Sequence, residues 1–275
     1  MELKTRLEID HFLGKVESAP QRLLMLDYDG TLAPFTPQRD QAYPYPGIAA
    51  ALQEIIRQGR TRVVIVSGRD VSDLSSRMRI QPIPELWGTY GMQRRRPNGV
   101  VETARIDQCF ADGLSDADRW LGYQQLRKIA EVKTGSIAAH WRGLRDKTRE
   151  ETCARVRLGW EPIAERSGLQ LFEFDGGLEI RVPGPDKGDV VRILLAEEGP
   201  RAAAAYLGDD ASDEPAFRAI GNRGLGILVR EQWRKTAARL WLKPRDGVID
   251  FLTKWLAVCR KEDAAGDASA MAVKV

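Results

Sequence analysis

The sequence predicts an α/β protein, a parallel sheet with helices on both faces, interrupted by an α+β insertion. Three observations lead there. From Leu23 through Trp87, apolar runs of strand length alternate with a segment of helix length, the pattern of parallel strands joined by crossover helices. The same alternation resumes between Lys187 and Val229. Residues 107–179 between them break it, reading instead as helix, strand, long helix and paired strands.

Residues 5–18 read as a short helix with Leu7, Phe12 and Leu13 apolar. Leu23-Leu24-Met25-Leu26 reads as a buried strand and runs directly into Asp27-Tyr28-Asp29-Gly30-Thr31. A helix over Ile48–Gln58, entered through Pro46-Gly47, leads to a second strand, Val63–Val66, which ends in Ser67-Gly68-Arg69. Within the insertion, the expected elements are a helix over Asp116–Glu131, a strand over Ser136–Trp141 and a long helix over Asp146–Glu165. Two strands follow, Leu169–Phe174 and Leu178–Val182, joined by Asp175-Gly176-Gly177, a hairpin signal. Lys187-Gly188 opens an amphipathic helix with Val190, Val191, Leu194 and Leu195. The strand Ala202–Leu207 then ends in Gly208-Asp209-Asp210-Ala211-Ser212-Asp213-Glu214, before a helix near Pro215–Ile220 and a strand at Leu225–Val229. Val248, Phe251, Leu252, Trp255, Leu256 and Cys259 recur at helical spacing and mark a closing helix whose stripe belongs to the core. Beyond Lys261 the chain is rich in Ala, Asp and Gly without aromatics, and a frayed tail is expected.

Chemistry gathers where the apolar runs stop. Residues i and i+2 of a strand share a face, so Asp27 and Asp29 can face one pocket, and Gly30 permits the sharp turn behind them. Two acids so close repel unless a divalent cation joins them or one is protonated. An aspartate nucleophile beside an aspartate acid/base is one use of such a pair; a strand ending in an acidic turn is the bland alternative. Ser67 and the free backbone N–H groups around Gly68 suit a phosphate oxyanion. Lys187 can supply a point charge to phosphate. Four acids within Asp209–Glu214 are a hard-cation signature, though a solvated acidic loop would look the same. The four segments together, each after a strand or at a helix start, favour the chemical reading.

The bulk numbers exclude other classes. The chain has 275 residues, 43% apolar and 29% charged, with net charge +3, ordinary for a soluble globular protein and too weakly basic to argue for nucleic acid. No run approaches the roughly 18 apolar residues of a membrane helix. The opening residues lack a signal-like apolar segment and a cytoplasmic location is expected. Three scattered cysteines, Cys109, Cys153 and Cys259, suggest neither a disulfide framework nor a zinc site.

These segments resemble the haloacid dehalogenase superfamily of phosphatases. Asp27 through Pro34 (DYDGTLAP), SGR at Ser67–Arg69 and the acidic GDDASDE segment narrow the resemblance to the trehalose-6-phosphate phosphatases, over roughly residues 20–255. The resemblance implies a Rossmann-like parallel-sheet core (1–106 and 183–260), an α+β cap domain inserted at 107–182 and a disordered tail (261–275). It implies Asp27 as nucleophile and Asp29 as acid/base, and a phosphoryl group gripped by Thr31, Ser67, Gly68 and Lys187. Mg²⁺ is implied on Asp27, the backbone carbonyl of Asp29, and Asp209, with Asp210 and Asp213 behind them. In the cap, Lys133, His140, Arg142, Glu179 and Arg181 are implied to read the sugar; strand alternation puts His140 and Arg142 on one face of their strand, and Glu179 likewise shares a face with Arg181 on the last cap strand. The implied activity is hydrolysis of trehalose-6-phosphate through an aspartyl-phosphate, in functional coupling to a trehalose-phosphate synthase. One departure stands out: Tyr90 and Gln93 replace the histidine and glutamate of the family's Gly-x-His-Gly-x-Glu. That keeps two alternatives open, the same chemistry on glucosylglycerol phosphate or a glycosyl-3-phosphoglycerate, and a non-catalytic sugar-phosphate-binding partner of the synthase. Arg94-Arg95-Arg96 could favour an anionic ligand, but a solvated basic turn before Pro97-Asn98-Gly99 is the expected reading.

Overall fold

In the computed structural model, which describes residues 3–36, 41–141, 143–174 and 176–272, two sheets carry the chain. Helix α1 (Leu3–Ser18) leads into β1 (Arg22–Leu26), α2 (Pro46–Arg57), β2 (Arg62–Val66), α3 (Val71–Arg77) and β3 (Glu85–Gly88). A hairpin of β4 (Gln93–Arg95) and β5 (Val101–Thr103) precedes α4 (Gln108–Tyr123), β6 (Ala130–Lys133), β7 (Ser136–His140), α5 (Asp146–Ser167), β8 (Gln170–Phe174) and β9 (Gly177–Arg181). The chain closes with α6 (Lys187–Glu198), β10 (Ala203–Gly208), α7 (Glu214–Ile220), β11 (Gly224–Val229), β12 (Leu240–Leu242) and α8 (Asp246–Ala272).

The larger sheet has the order β12-β11-β10-β1-β2-β3-β4-β5, parallel from β12 to β3 and antiparallel across the β4–β5 edge. Alternation along β1 feeds two cores. Leu24 and Leu26 pack with α1, α2, α3 and α8, around Phe12, Leu52, Leu74 and Trp255, while Leu23 and Met25 pack with α6 and α7, around Val191, Leu194 and Phe217. Every residue of β1 is buried, as a central parallel strand covered on both faces requires. Register then sets the functional edge: Leu26 pairs with Leu207 on one side and Ile65 on the other, so Asp27, Ser67 and Asp209 leave the sheet side by side at its C-terminal edge. Ligands in open α/β sheets bind at that edge.

The smaller sheet is antiparallel, ordered β6-β7-β9-β8. Ile137 and Ala139 of β7, with Leu178 and Ile180 of β9, pack against Leu121 of α4 and Val156, Trp160 and Ile163 of α5. The alternate residues, Ala138, His140, Glu179 and Arg181, therefore belong to the opposite face.

Three sequence expectations shift. The helix expected at Asp116–Glu131 is α4 at Gln108–Tyr123, and β6 occupies the end of the expected span. Phe110, Leu114, Ala117 and Leu121 form its apolar face, and Gln125, at φ 57, stops it in a left-handed turn. The basic turn expected at Arg94–Arg96 is mostly strand. Arg94 is buried, bonded to Glu85 and Glu197, and Arg96 pairs with Glu102 across the hairpin. The tail expected after Lys261 carries helical backbone to Ala272; its alanines are the best helix formers. Among the described residues no helix is long and apolar enough to cross a membrane.

Candidate active site

Asp27 sits directly after β1, its backbone N–H donating to the Leu207 carbonyl at 2.8 Å, so the next strand fixes the start of the loop. The loop doubles back at once: Leu32 and Ala33 N–H donate to the Tyr28 carbonyl at 2.9 and 3.0 Å. Gly30 has φ +80, and a Cβ there would lie 2.1 Å from Asp209 Oδ2. Only glycine lets the turn and Asp209 approach this closely. Thr31 is fully buried and donates to Asp27 Oδ2 at 3.3 Å.

Lys187 is the first residue of α6, whose start is held by a reciprocal capping box between Asp186 and Asp189. Its Nζ lies 2.7 Å from both Asp27 Oδ1 and Asp213 Oδ1. Asp213 is fully buried and saturated: Oδ1 also accepts from Tyr206 Oη at 2.6 Å, and Oδ2 accepts from the Asp209 and Asp210 N–H groups, each at 3.0 Å. Asp213 thus shapes the acidic loop and anchors Lys187. Asp210 caps the turn after β10 through the Ala211 N–H.

Carboxylate oxygens of Asp27, Asp209 and Asp213 all lie within 4.8 Å of one another. Burial, reinforced by Asp213 and Asp29 against the pull of Lys187, pushes the Asp27 carboxyl up to about 7, and burial with the neighbouring acids holds Asp209 well above its usual range. For Lys187, burial works against the charge, but Asp213 and Asp27 outweigh it and keep the ammonium well above its ordinary pKa. Three buried acids around one ammonium leave a site starved of positive charge and rich in hard oxygen donors, which fits a divalent cation such as Mg²⁺. Asp29 offers no carboxylate to this cluster. Arg69, 2% exposed, grips it with two bonds of 2.7 Å and reaches Asp73 as well. The backbone carbonyl of Asp29 is the atom left for the cation role that the resemblance implies.

A cavity of about 780 Å³ opens above these groups, lined by Asp27, Asp29, Ser67, Gly68, Lys187 and Asp209 on one side. From the smaller sheet Lys133, His140 and Glu179 face the same space. Lys133 pairs with buried Glu179 and donates to the Gly68 carbonyl at 3.3 Å; Glu179 also accepts from Ser136 at 2.8 Å. Burial opposes ionisation of Glu179, but the charge and hydrogen bond of Lys133, the Ser136 hydroxyl and the charge of Arg181 outweigh it and hold the carboxyl below its usual range. His140 lies 3.1 Å from Glu131. Arg181 is not in the lining; its guanidinium covers Phe172 at 3.4 Å and Tyr90 at 4.8 Å. Arg142 lies outside the described residues.

Two further residues in this region carry weight that sequence reasoning did not assign. Arg69 was visible as the end of Ser67-Gly68-Arg69, but its partner Asp29 is 40 residues away. Gln93, buried, accepts from Val71 N–H and donates to Thr134 in the turn between β6 and β7, both at 3.0 Å.

A parallel sheet with an acidic C-terminal edge and an inserted α+β unit is the haloacid dehalogenase-like fold. Solved structures agree: a haloacid dehalogenase-like hydrolase from B. subtilis superposes with TM-score 0.56 at 18% identity, covering 85% of this chain and 99% of that one. The C-terminal domain of C. albicans trehalose-6-phosphate phosphatase reaches TM-score 0.75 at 18% identity, covering 90% and 96%. The family profile described as trehalose-phosphatase matches residues 25–243, and the chain belongs to that family. Trehalose-phosphate phosphatase of Mycobacterium marinum is 31% identical over 248 residues, covering 85% of this chain and 61% of the relative. An uncharacterized glycosyl hydrolase of Mycobacterium tuberculosis is 30% identical over 264 residues, 90% of this chain but 19% of its own length. The chain thus spans about three-fifths of the first relative and about one-fifth of the second.

Proposed function

We propose that the chain is a Mg²⁺-dependent phosphatase acting on trehalose-6-phosphate. The observation that carries this is the buried contact of Lys187 with Asp27 and Asp213, next to Asp209 and beneath a sugar-sized cavity. In this reading Asp27 attacks phosphorus, forming an O–P bond as the bond to the sugar oxygen breaks. Asp29, held at the cavity by Arg69, takes a proton from the water that hydrolyses the aspartyl-phosphate, on an oxygen released from Arg69, and gives that proton to the leaving oxygen of the next substrate. Lys187, Thr31, Ser67 and the Gly68 backbone offset the charge on the transferring phosphoryl, where most of the stabilisation in such reactions lies. Asp27, the Asp29 carbonyl and Asp209 hold Mg²⁺, which when bound favours ionised Asp27 and neutralises phosphoryl charge.

Residues 107–182 serve as the cap and residues 1–106 and 183–260 as the catalytic core. Lys133, Glu179 and His140 meet the sugar hydroxyls with both donors and acceptors, while Arg181 supports Tyr90 from behind. Tyr90 and Gln93 fit this reading without a change of substrate: Gln93 spends its amide on Val71 and Thr134, and Tyr90 stacks under Arg181. A trehalose-phosphate synthase supplies the substrate and is the implied functional partner. Phosphate release from trehalose-6-phosphate tests the reading: it should require Mg²⁺, stop with EDTA, and vanish in Asp27→Asn. Substantial turnover by Asp27→Asn would remove Asp27 from the nucleophile's role.

A further inference from the structure

A second cavity, of about 380 Å³, opens at the other end of the large sheet, beside the starts of β10 and β11 at Ala203 and Gly224. Four segments distant in sequence each bring it a cation: Lys15 from α1, Arg201 from the turn after α6, Arg223 from the turn before β11, and Arg239 from the approach to β12. His11 stands one helical turn before Lys15, on the same face of α1. Among the described residues lining the cleft, Glu8 is the one carboxylate, and it pairs with Arg239 at 3.1 Å. Arg223 is fixed by donating to the Leu195 and Gly199 carbonyls at 3.1 and 3.2 Å. The side chains of Lys15 and Arg201 make no hydrogen bond or ion pair among the described residues.

Four permanent cations converging on one concavity repel one another, and a single carboxylate does not balance them. Nothing in the packing requires this convergence, since the exposed charges at Lys15 and Arg201 would serve a solvated surface equally well if dispersed. The volume lies in the range of small-molecule sites, and the donors, one ammonium and three guanidinium groups, suit phosphate oxygens. We propose that this cleft binds a small phosphorylated anion, at a site separate from the Asp27 cavity. Its concave shape and size favour such a molecule over an acidic protein segment.

Calorimetric titration of the full chain with inorganic pyrophosphate in EDTA tests this, independently of the phosphatase reading. Without a divalent cation the acid cluster around Asp27 disfavours pyrophosphate, so the basic cleft should dominate the signal. Each cation removed should weaken binding on the order of tenfold, so Lys15→Ala with Arg201→Ala should abolish most of it. Glu8→Gln should tighten binding, because it removes the opposing carboxylate and releases Arg239. Both variants should keep the parent's melting temperature and its phosphate release. Unchanged pyrophosphate binding in the double variant, weaker binding in Glu8→Gln, or binding of an acidic peptide but not pyrophosphate would each overturn the proposal.

Discussion

Chelator-treated protein should lose stability as pH rises from 5 to 7.5, the reverse of the usual behaviour of a paired carboxylate. The cause is Asp27, whose pKa is raised from its ordinary 3.8 to about 7. A group with a higher pKa in the folded state binds more protons folded than unfolded between those values, so stability falls as pH rises through the window. The contribution is complete below about pH 4 and gone above about pH 7. Between pH 5 and 7.5 the loss from Asp27 alone comes to about 2–3 kcal/mol, or about 5–10 °C in melting temperature for a chain of this size. Asp209, raised in the same direction, adds to it. Glu179 and Glu197 are shifted down and act with the opposite sign, but their stabilisation is lost only as pH falls below about 4.5, outside the window. Thermal unfolding followed by circular dichroism in EDTA, in steps of pH, reads the slope directly. Asp27→Asn should flatten it, and saturating Mg²⁺ should remove it by favouring the ionised cluster. A melting temperature in EDTA that is level or rises from pH 5 to 7.5 would refute the assignment of Asp27 and Asp209 as buried, charge-starved acids.

Gly30→Ala should lower turnover by roughly a hundredfold, because its Cβ would displace Asp209 Oδ2 from a position 2.1 Å away; Gly59→Ala, also at positive φ but in open space, is the strain-only control in the same phosphate-release assay. Glu179→Gln, removing the charge that meets Lys133, should lower kcat/KM for trehalose-6-phosphate by roughly 10–100-fold and leave p-nitrophenyl phosphate, which has no sugar to read, nearly unchanged. Arg94→Met strips one of two arginines from buried Glu85, so urea denaturation should show a loss near the lower end of about 3–5 kcal/mol, with phosphate release retained.

The core of the fold was legible because each chemical group stands where an apolar run ends. Leu23–Leu26, Val63–Val66 and Ala202–Leu207 announce buried parallel strands, and Asp27, Ser67 and Asp209 follow at once, so register alone brings them together. Lys187 was legible for a related reason, opening an amphipathic helix whose apolar side is unambiguous. What stayed hidden depends on partners far along the chain. Arg69 finds Asp29 across 40 residues, and Arg94 finds Glu197 across 103, so a triplet of arginines reads as solvated although its first member is buried. The β4–β5 hairpin is built from just such residues and carries no apolar alternation. Phe110, Leu114, Ala117 and Leu121 repeat at helical spacing and mark the true span of α4, but the stretch after it, which the Gln125 turn and β6 divide, carries no proline to signal the break. In the smaller sheet, Glu179 and Arg181 share a strand face as alternation requires, yet only Glu179 lines the cavity; the aromatic rings of Phe172 and Tyr90 hold Arg181 aside.

The central claim is that this acidic edge and its sugar-facing sheet serve one substrate. The measurement that tests it most directly is kcat/KM for Mg²⁺-dependent phosphate release from a set of sugar phosphates. Trehalose-6-phosphate, glucose-6-phosphate, sucrose-6-phosphate, glucosylglycerol phosphate and glucosyl-3-phosphoglycerate would be compared under one condition. A clear preference for trehalose-6-phosphate is the predicted result. Preference for another member, or no release from any, would contradict it.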